Sequence, residues 1–85
     1  MHTIRFSARS ARDLRDCPAE MRERIMEAVE ALAAEPRPPG SRKLTGALAG
    51  CWRIRVGSYR VVYEAYDKER SILVAKVGPR PTIYR

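Results

Sequence analysis

Residues 50–63 read GCWRIRVGSYRVVY, two apolar runs carrying Arg53, Arg55 and Arg60 on either side of a Gly57-Ser58 turn. Side chains alternate between the faces of a strand, so Trp52, Ile54 and Val56 point one way and Arg53 and Arg55 the other. The small turn residues between two such runs predict a hairpin. Guanidinium groups on a rigid sheet surface are suited to phosphates, because each planar fork donates two parallel hydrogen bonds to phosphate oxygens. The ordinary alternative is a solvated strand face, with Arg60 paired to Glu64 along the same strand.

Upstream of the hairpin, residues 3–6 predict a short strand, and Ser7 can cap a helix running through Leu14. Cys17-Pro18 ends that helix, since the residue before proline resists the helical region, while Pro18 suits the first turn of the next. Over residues 18–34, Met21, Ile25, Ala28, Val29 and Leu32 recur at three- and four-residue spacing, which predicts an amphipathic helix packed on one side. Glu23, Glu27 and Glu30 with Arg22 and Arg24 are expected on its solvated outer face. Pro36, Pro38, Pro39 and Gly40 end this helix, and residues 41–46 read as loop. Strands are expected at residues 50–56, 59–66 and 71–77, the last two joined by an Asp67-Lys68-Glu69-Arg70 turn. The predicted class is α+β in one domain over residues 1–85: an N-terminal edge strand and a helical hairpin packed on an antiparallel meander, with one sheet face open to solvent.

A chain of 85 residues can bury only a small core, so a multi-step enzyme with a large cofactor is not expected. The charge is lopsided: residues 1–35 carry 6 Lys+Arg against 7 Asp+Glu, whereas residues 36–85 carry 11 against 3. A basic half of this kind predicts a polyanionic partner, nucleic acid or an acidic protein segment. The excess lies in the predicted strands and the long helix is charge-balanced, which argues against a membrane-surface helix. Cys17 and Cys51 stand 34 positions apart with no Cys-x-x-Cys unit, so no metal site or redox motif is predicted and both read as reduced core thiols. No apolar run reaches membrane-spanning length, and Met1-His2-Thr3-Ile4-Arg5 has no signal-peptide character, so a cytoplasmic chain is expected. His2 adjoins a terminus expected to be mobile and is not taken as catalytic.

The order strand, helix, helix, three-stranded meander is joined to KLTG at residues 43–46, WRIRVGSYRVVY at 52–63 and VGPRPTIY at 77–84. Together these blocks resemble the RelE/ParE toxin superfamily over nearly the whole chain. The resemblance implies the toxin of a type II toxin-antitoxin system, with a cognate antitoxin as partner in a hetero-oligomer and no cofactor. RelE-like members are ribosome-dependent endoribonucleases that cut mRNA in the decoding site. Their pattern is two basic residues two apart on a strand, an arginine on the next strand, an arginine after the last strand and a nearby tyrosine. Arg53, Arg55, Arg60, Arg80 and Tyr84 occupy those positions here, with arginines where the best-matching form has lysines.

On this resemblance Arg55 and Arg60 hold the scissile phosphate and Arg53 positions or helps activate the 2′-OH. Arg80 stabilises charge near the leaving oxygen, and Tyr84 stacks on a base. Arginine stays charged, so Arg53 is a poorer general base than lysine. Lys43 and Lys76 are second candidates for contact with RNA or the ribosome backbone. Two alternatives stay open: a ParE-like inhibitor that binds DNA gyrase without a nuclease site, and a homologue that binds RNA or the ribosome but has lost catalysis. The dull readings are a surface-loop Arg80 and a Tyr84 that plugs the core.

Overall fold

In the computed structural model, which describes residues 1–79, the chain runs β1 (Thr3–Phe6), α1 (Ala8–Asp16), α2 (Ala19–Ala31), β2 (Arg42–Lys43), a 3-10 turn (Gly46–Leu48), β3 (Trp52–Val56), β4 (Tyr59–Tyr66) and β5 (Ser71–Pro79). The expected α+β architecture is present, with β3, β4 and β5 as an antiparallel meander and β1 at an edge. Two features differ from expectation. β1 runs parallel to β5, so the sheet is mixed, and residues 42–43, read as loop, form a fifth strand antiparallel to β3. The resulting order is β1-β5-β4-β3-β2. A two-residue strand is too short to show a period, which is why the sequence pattern does not reveal it.

The helix boundaries follow local chemistry. The Ser7 side chain accepts the Ser10 N–H at 3.0 Å, while its hydroxyl also reaches the Ala75 carbonyl of β5 at 2.8 Å. Cys17 is extended, with ψ 149°, as a residue before proline should be. α2 ends at Ala31 rather than Ala34, because Leu32, Ala33 and Ala34 donate to carbonyls three residues back and tighten the last turn. Arg22 corrects the sequence reading. Instead of pairing with the outer glutamates, it donates to the carbonyls of Leu14 (2.7 Å), Arg15 (3.1 Å) and Cys17 (2.9 Å), so α2 caps the end of α1. No helix among the described residues is long and apolar enough to cross a membrane.

One face of the sheet meets the helices. Ile25, Val29 and Leu32 of the α2 segment are fully buried, packed in one cluster with Leu14, Ile54, Val61, Tyr63, Ile72, Val74 and Val77. Burying side chains of this kind stabilises by about 1.5–3 kcal/mol each before entropy is counted. An irregularity between Val62 and Tyr63 leaves Ala75 of β5 unpaired: Val62 is in register with Lys76, and Tyr63 with Val74. The extra residue turns both Val74 and Val77 toward the core and leaves Lys76 on the other face, which strict alternation forbids.

The proline-rich connector is held in place. Tyr63, fully buried, donates its hydroxyl to the Pro36 carbonyl at 2.6 Å. Arg37 stacks over Trp52 at 5.3 Å and donates to both Asp67 oxygens at 3.3 and 3.0 Å. His2 reaches the same carboxylate at 3.3 Å, and its backbone N–H donates to Ala33, so the terminus expected to be mobile is anchored.

Candidate functional site

β3 and β4 are joined by a two-residue turn in which Gly57 takes φ +60°, and a Cβ there would meet Met21 Cε at 3.2 Å. The tight turn fixes the register that builds the site. Trp52 pairs with Tyr63, Ile54 with Val61 and Val56 with Tyr59 on the helix face; Arg53 pairs with Val62 and Arg55 with Arg60 on the opposite face. The expected alternation of β3 is therefore present, and it brings Arg53, Arg55 and Arg60 onto one surface. Lys76 joins them through its register with Val62.

That surface is less open than expected. Arg53 is 6% and Arg60 8% exposed, and Val62 between them is fully buried although it lies outside the main core cluster. Arg55 remains exposed. The face thus has an apolar floor at Val62 with cationic groups around it, where a guanidinium bonds more strongly to an anion than it would in bulk water.

The expected alternative of an Arg60–Glu64 pair is absent among the described residues; Glu64 instead accepts the Tyr66 hydroxyl at 2.8 Å. Arg55, Arg60 and Lys76 form no ion pair with any described residue, whereas Arg9 and Arg37 each do. Like charges directly opposite on neighbouring strands destabilise a sheet. The Arg55–Arg60 pair has that arrangement, and an anion seated between the two forks would reverse its sign.

Lys43 is not part of this surface. Its partner in register is Trp52, so it belongs to the helix-side face, while its neighbour Arg42 is in register with Arg53 on the arginine face. Sequence reasoning missed Arg42 because it read residues 41–46 as loop, where no face is defined. Arg80 and Tyr84 lie outside the described residues.

The remaining reactive groups lie elsewhere. Burial raises the pKa of Cys17 above the usual thiol value; burial, followed by the charge of Glu64, does the same for Cys51. Both are free cysteines, and burial disfavours the thiolate in each; Cys17 lies in the core as expected, whereas Cys51 is only partly buried and outside the core cluster. Among the described residues no group of three His, Cys, Asp or Glu is placed to hold a metal ion.

Residues 4–84 match the family model described as the ParE toxin of the type II toxin-antitoxin system parDE. The chain is similar to toxin RelG of Mycobacterium tuberculosis, 33% identical over 85 residues that cover 99% of this chain and 97% of the relative. Its fold is similar to that in the RelBE2 toxin-antitoxin complex of Mycobacterium tuberculosis, with TM-score 0.83, 29% identity and coverage of 93% of this chain and 98% of the other. It is also similar to that in the archaeal RelE-RelB complex of Pyrococcus horikoshii, with TM-score 0.80, 28% identity and coverage of 93% and 94%. A family match over residues 4–84, together with a relative 33% identical across almost the whole of both chains, makes this chain a member of the ParE toxin family of type II toxin-antitoxin systems, within the RelE/ParE superfamily.

Proposed function

We propose that this toxin is a ribosome-dependent endoribonuclease of the RelE-like kind, acting in the cytoplasm on mRNA in the decoding site. The observation that carries the reading is the directly opposed Arg55–Arg60 pair, with Arg53 beside it and no acidic partner for Arg55 or Arg60 among the described residues. Two cations set face to face on a sheet are costly unless an anion joins them, and the scissile phosphate is such an anion. In-line attack by the RNA's 2′-oxygen forms a P–O2′ bond as the P–O5′ bond breaks, giving a 2′,3′-cyclic phosphate and a 5′-hydroxyl. The 2′ proton leaves to water or a ribosomal group, and the departing 5′-oxygen takes one up. Arg55 and Arg60 neutralise the developing phosphorane, Arg53 orients the 2′-OH, Arg80 stabilises charge at the leaving oxygen and Tyr84 stacks on a base. An arginine set without an acid-base pair leaves proton transfer to water or the ribosome, which also presents the message in line.

The similar Mycobacterium and Pyrococcus chains occur in complexes with antitoxins, which supports an antitoxin partner here. Its complementary chemistry is acidic, because residues 36–85 carry 11 Lys+Arg against 3 Asp+Glu. A second reading, inhibition of DNA gyrase without hydrolysis, is favoured by the ParE description of the matching family and by arginines in the lysine positions.

The test is primer-extension mapping of a defined message on programmed ribosomes, with wild type beside Arg60→Ala and Arg80→Ala. Discrete cuts within decoding-site codons, lost in both variants, are expected. Intact message under conditions where wild type arrests growth, together with loss of supercoiling by purified gyrase, would transfer the function to the second reading.

A further inference from the structure

The row of residues in register across the sheet does not stop at Arg53. It begins at Arg42 on the edge strand β2, passes Arg53 on β3 and Val62 on β4, and ends at Lys76 on β5. Arg42 and Arg53 are thus a second like-charge pair set directly opposite each other, beside Arg55–Arg60. Arg42 is exposed and forms no ion pair with any described residue.

We propose that Arg42 is an RNA-backbone-binding residue, and that the row Arg42–Arg53–Val62–Lys76 carries a single-stranded RNA across the strands to the β2 edge. This extension rests on the nuclease reading above, since it continues the surface that holds the scissile phosphate. Neighbouring strands lie about 4.8 Å apart, so the row spans ~14 Å from β2 to β5 and is matched to a run of phosphates rather than to one anion. Arg42 has the planar fork that grips a phosphate on two oxygens, and the edge position of β2 leaves it unobstructed by a further strand. Lys43, adjacent in sequence, is on the other face and has no place in the row. An acidic peptide is the competing occupant of a cationic row; continuity with Arg55–Arg60 favours RNA.

The experiment measures binding of the full chain to a fluorescent single-stranded RNA dodecamer by anisotropy over a salt series, with poly-glutamate as a second probe. Arg42→Ala is expected to weaken RNA binding about three- to tenfold at low salt and to lower the salt slope by about 0.7, the value for one lost contact to a single strand. Lys43→Ala, which perturbs the same two-residue strand, should leave both unchanged, and Arg42→Lys should keep the slope while losing part of the affinity. Equal affinities for Arg42→Ala and Lys43→Ala would overturn the proposal, as would an Arg42→Ala defect confined to poly-glutamate. Weakening by Arg60→Ala but not by Arg42→Ala overturns this extension alone. Weakening by Arg42→Ala but not by Arg60→Ala supports the Arg42 contact and overturns the assignment of the phosphate to Arg55–Arg60. Absence of wild-type binding at low salt overturns this extension, while cleavage on programmed ribosomes still decides the nuclease reading.

Discussion

The Asp13 carboxylate accepts the Val77 N–H at 3.0 Å, joining α1 to the far end of β5. β1 stops at Phe6, in register with Val74, and beyond that point side chains of the helix entry take over the ladder: Ser7 bonds the Ala75 carbonyl and Asp13 the Val77 amide. Side chains of α1 and its cap therefore engage the outer edge of β5 as far as Val77, one residue before Gly78, which pairs with Arg60 on the inner edge. Asp13→Ala leaves a part-buried donor without a partner, at a cost of about 1–3 kcal/mol. The melting temperature should fall by about 4–8 °C per kcal/mol, while Asp13→Asn, which retains an acceptor oxygen, should lose less. Equal melting temperatures for wild type and Asp13→Ala in a calorimetric scan would remove the strand-anchoring role.

Arg55 and Arg60 stand opposite each other with no described acidic partner, an arrangement that costs the sheet stability and that the proposed phosphate site would explain. Arg55→Gln should stabilise the fold by about 0.2–1 kcal/mol, the scale of a cross-strand pair. The same change should lower the rate of mRNA cleavage by about a hundredfold, the loss expected for one donor to a developing oxyanion. Denaturant titration and a cleavage assay on one preparation test both. A variant that is less stable and fully active would contradict the assignment.

What could be read from the sequence was local. Ser7 as a cap, Cys17-Pro18 as a break, the three- and four-residue spacing from Met21 to Leu32 and the alternation around Arg53 and Arg55 each reside in a few neighbouring residues, and each appears in the structure. The parallel partner of β1, the unpaired Ala75 and the two-residue β2 depend on residues distant in sequence. Missing β2 had a direct consequence, because a shift of one position along a strand exchanges faces and so separates Arg42 from Lys43. The burial of Arg53 and Arg60 was not legible either, since alternation assigns a face and not what covers it.

Arg22 lies on α2, yet it donates to three carbonyls at and just beyond the end of α1. The last carbonyls of a helix lack the amides four residues on; that of Leu14 accepts the Cys17 N–H at 3.2 Å as well as Arg22, and a cation beside them also complements the negative end of the helix dipole. Arg22→Ala should cost about 1.5–3 kcal/mol, the range for hydrogen bonds to a charged group. Arg22→Lys should recover part of it, because an ammonium keeps the charge but not the fork that reaches separate carbonyls. Amide exchange localises the effect: faster exchange confined to α1 is expected, and unchanged exchange there would refute the capping role.

Asp67 holds together three segments, accepting from Arg37 on two oxygens and lying 3.3 Å from His2 Nε2. Its pKa is lowered from the usual carboxylate value, first by the hydrogen bond from Arg37 and then by that from His2. A carboxylate with a lower pKa in the folded state favours folding above its unfolded value, near 3.8, and loses that contribution as pH falls through the depressed one. The wild type should therefore be more resistant to urea than Asp67→Asn at pH 5–7, with the gap in midpoints narrowing below about pH 4. The side chain is 60% exposed, so added salt should also reduce the gap. A gap constant from pH 7 to pH 2 would mean that the ion pair does not contribute and that Arg37 anchors the connector through its stacking on Trp52 alone.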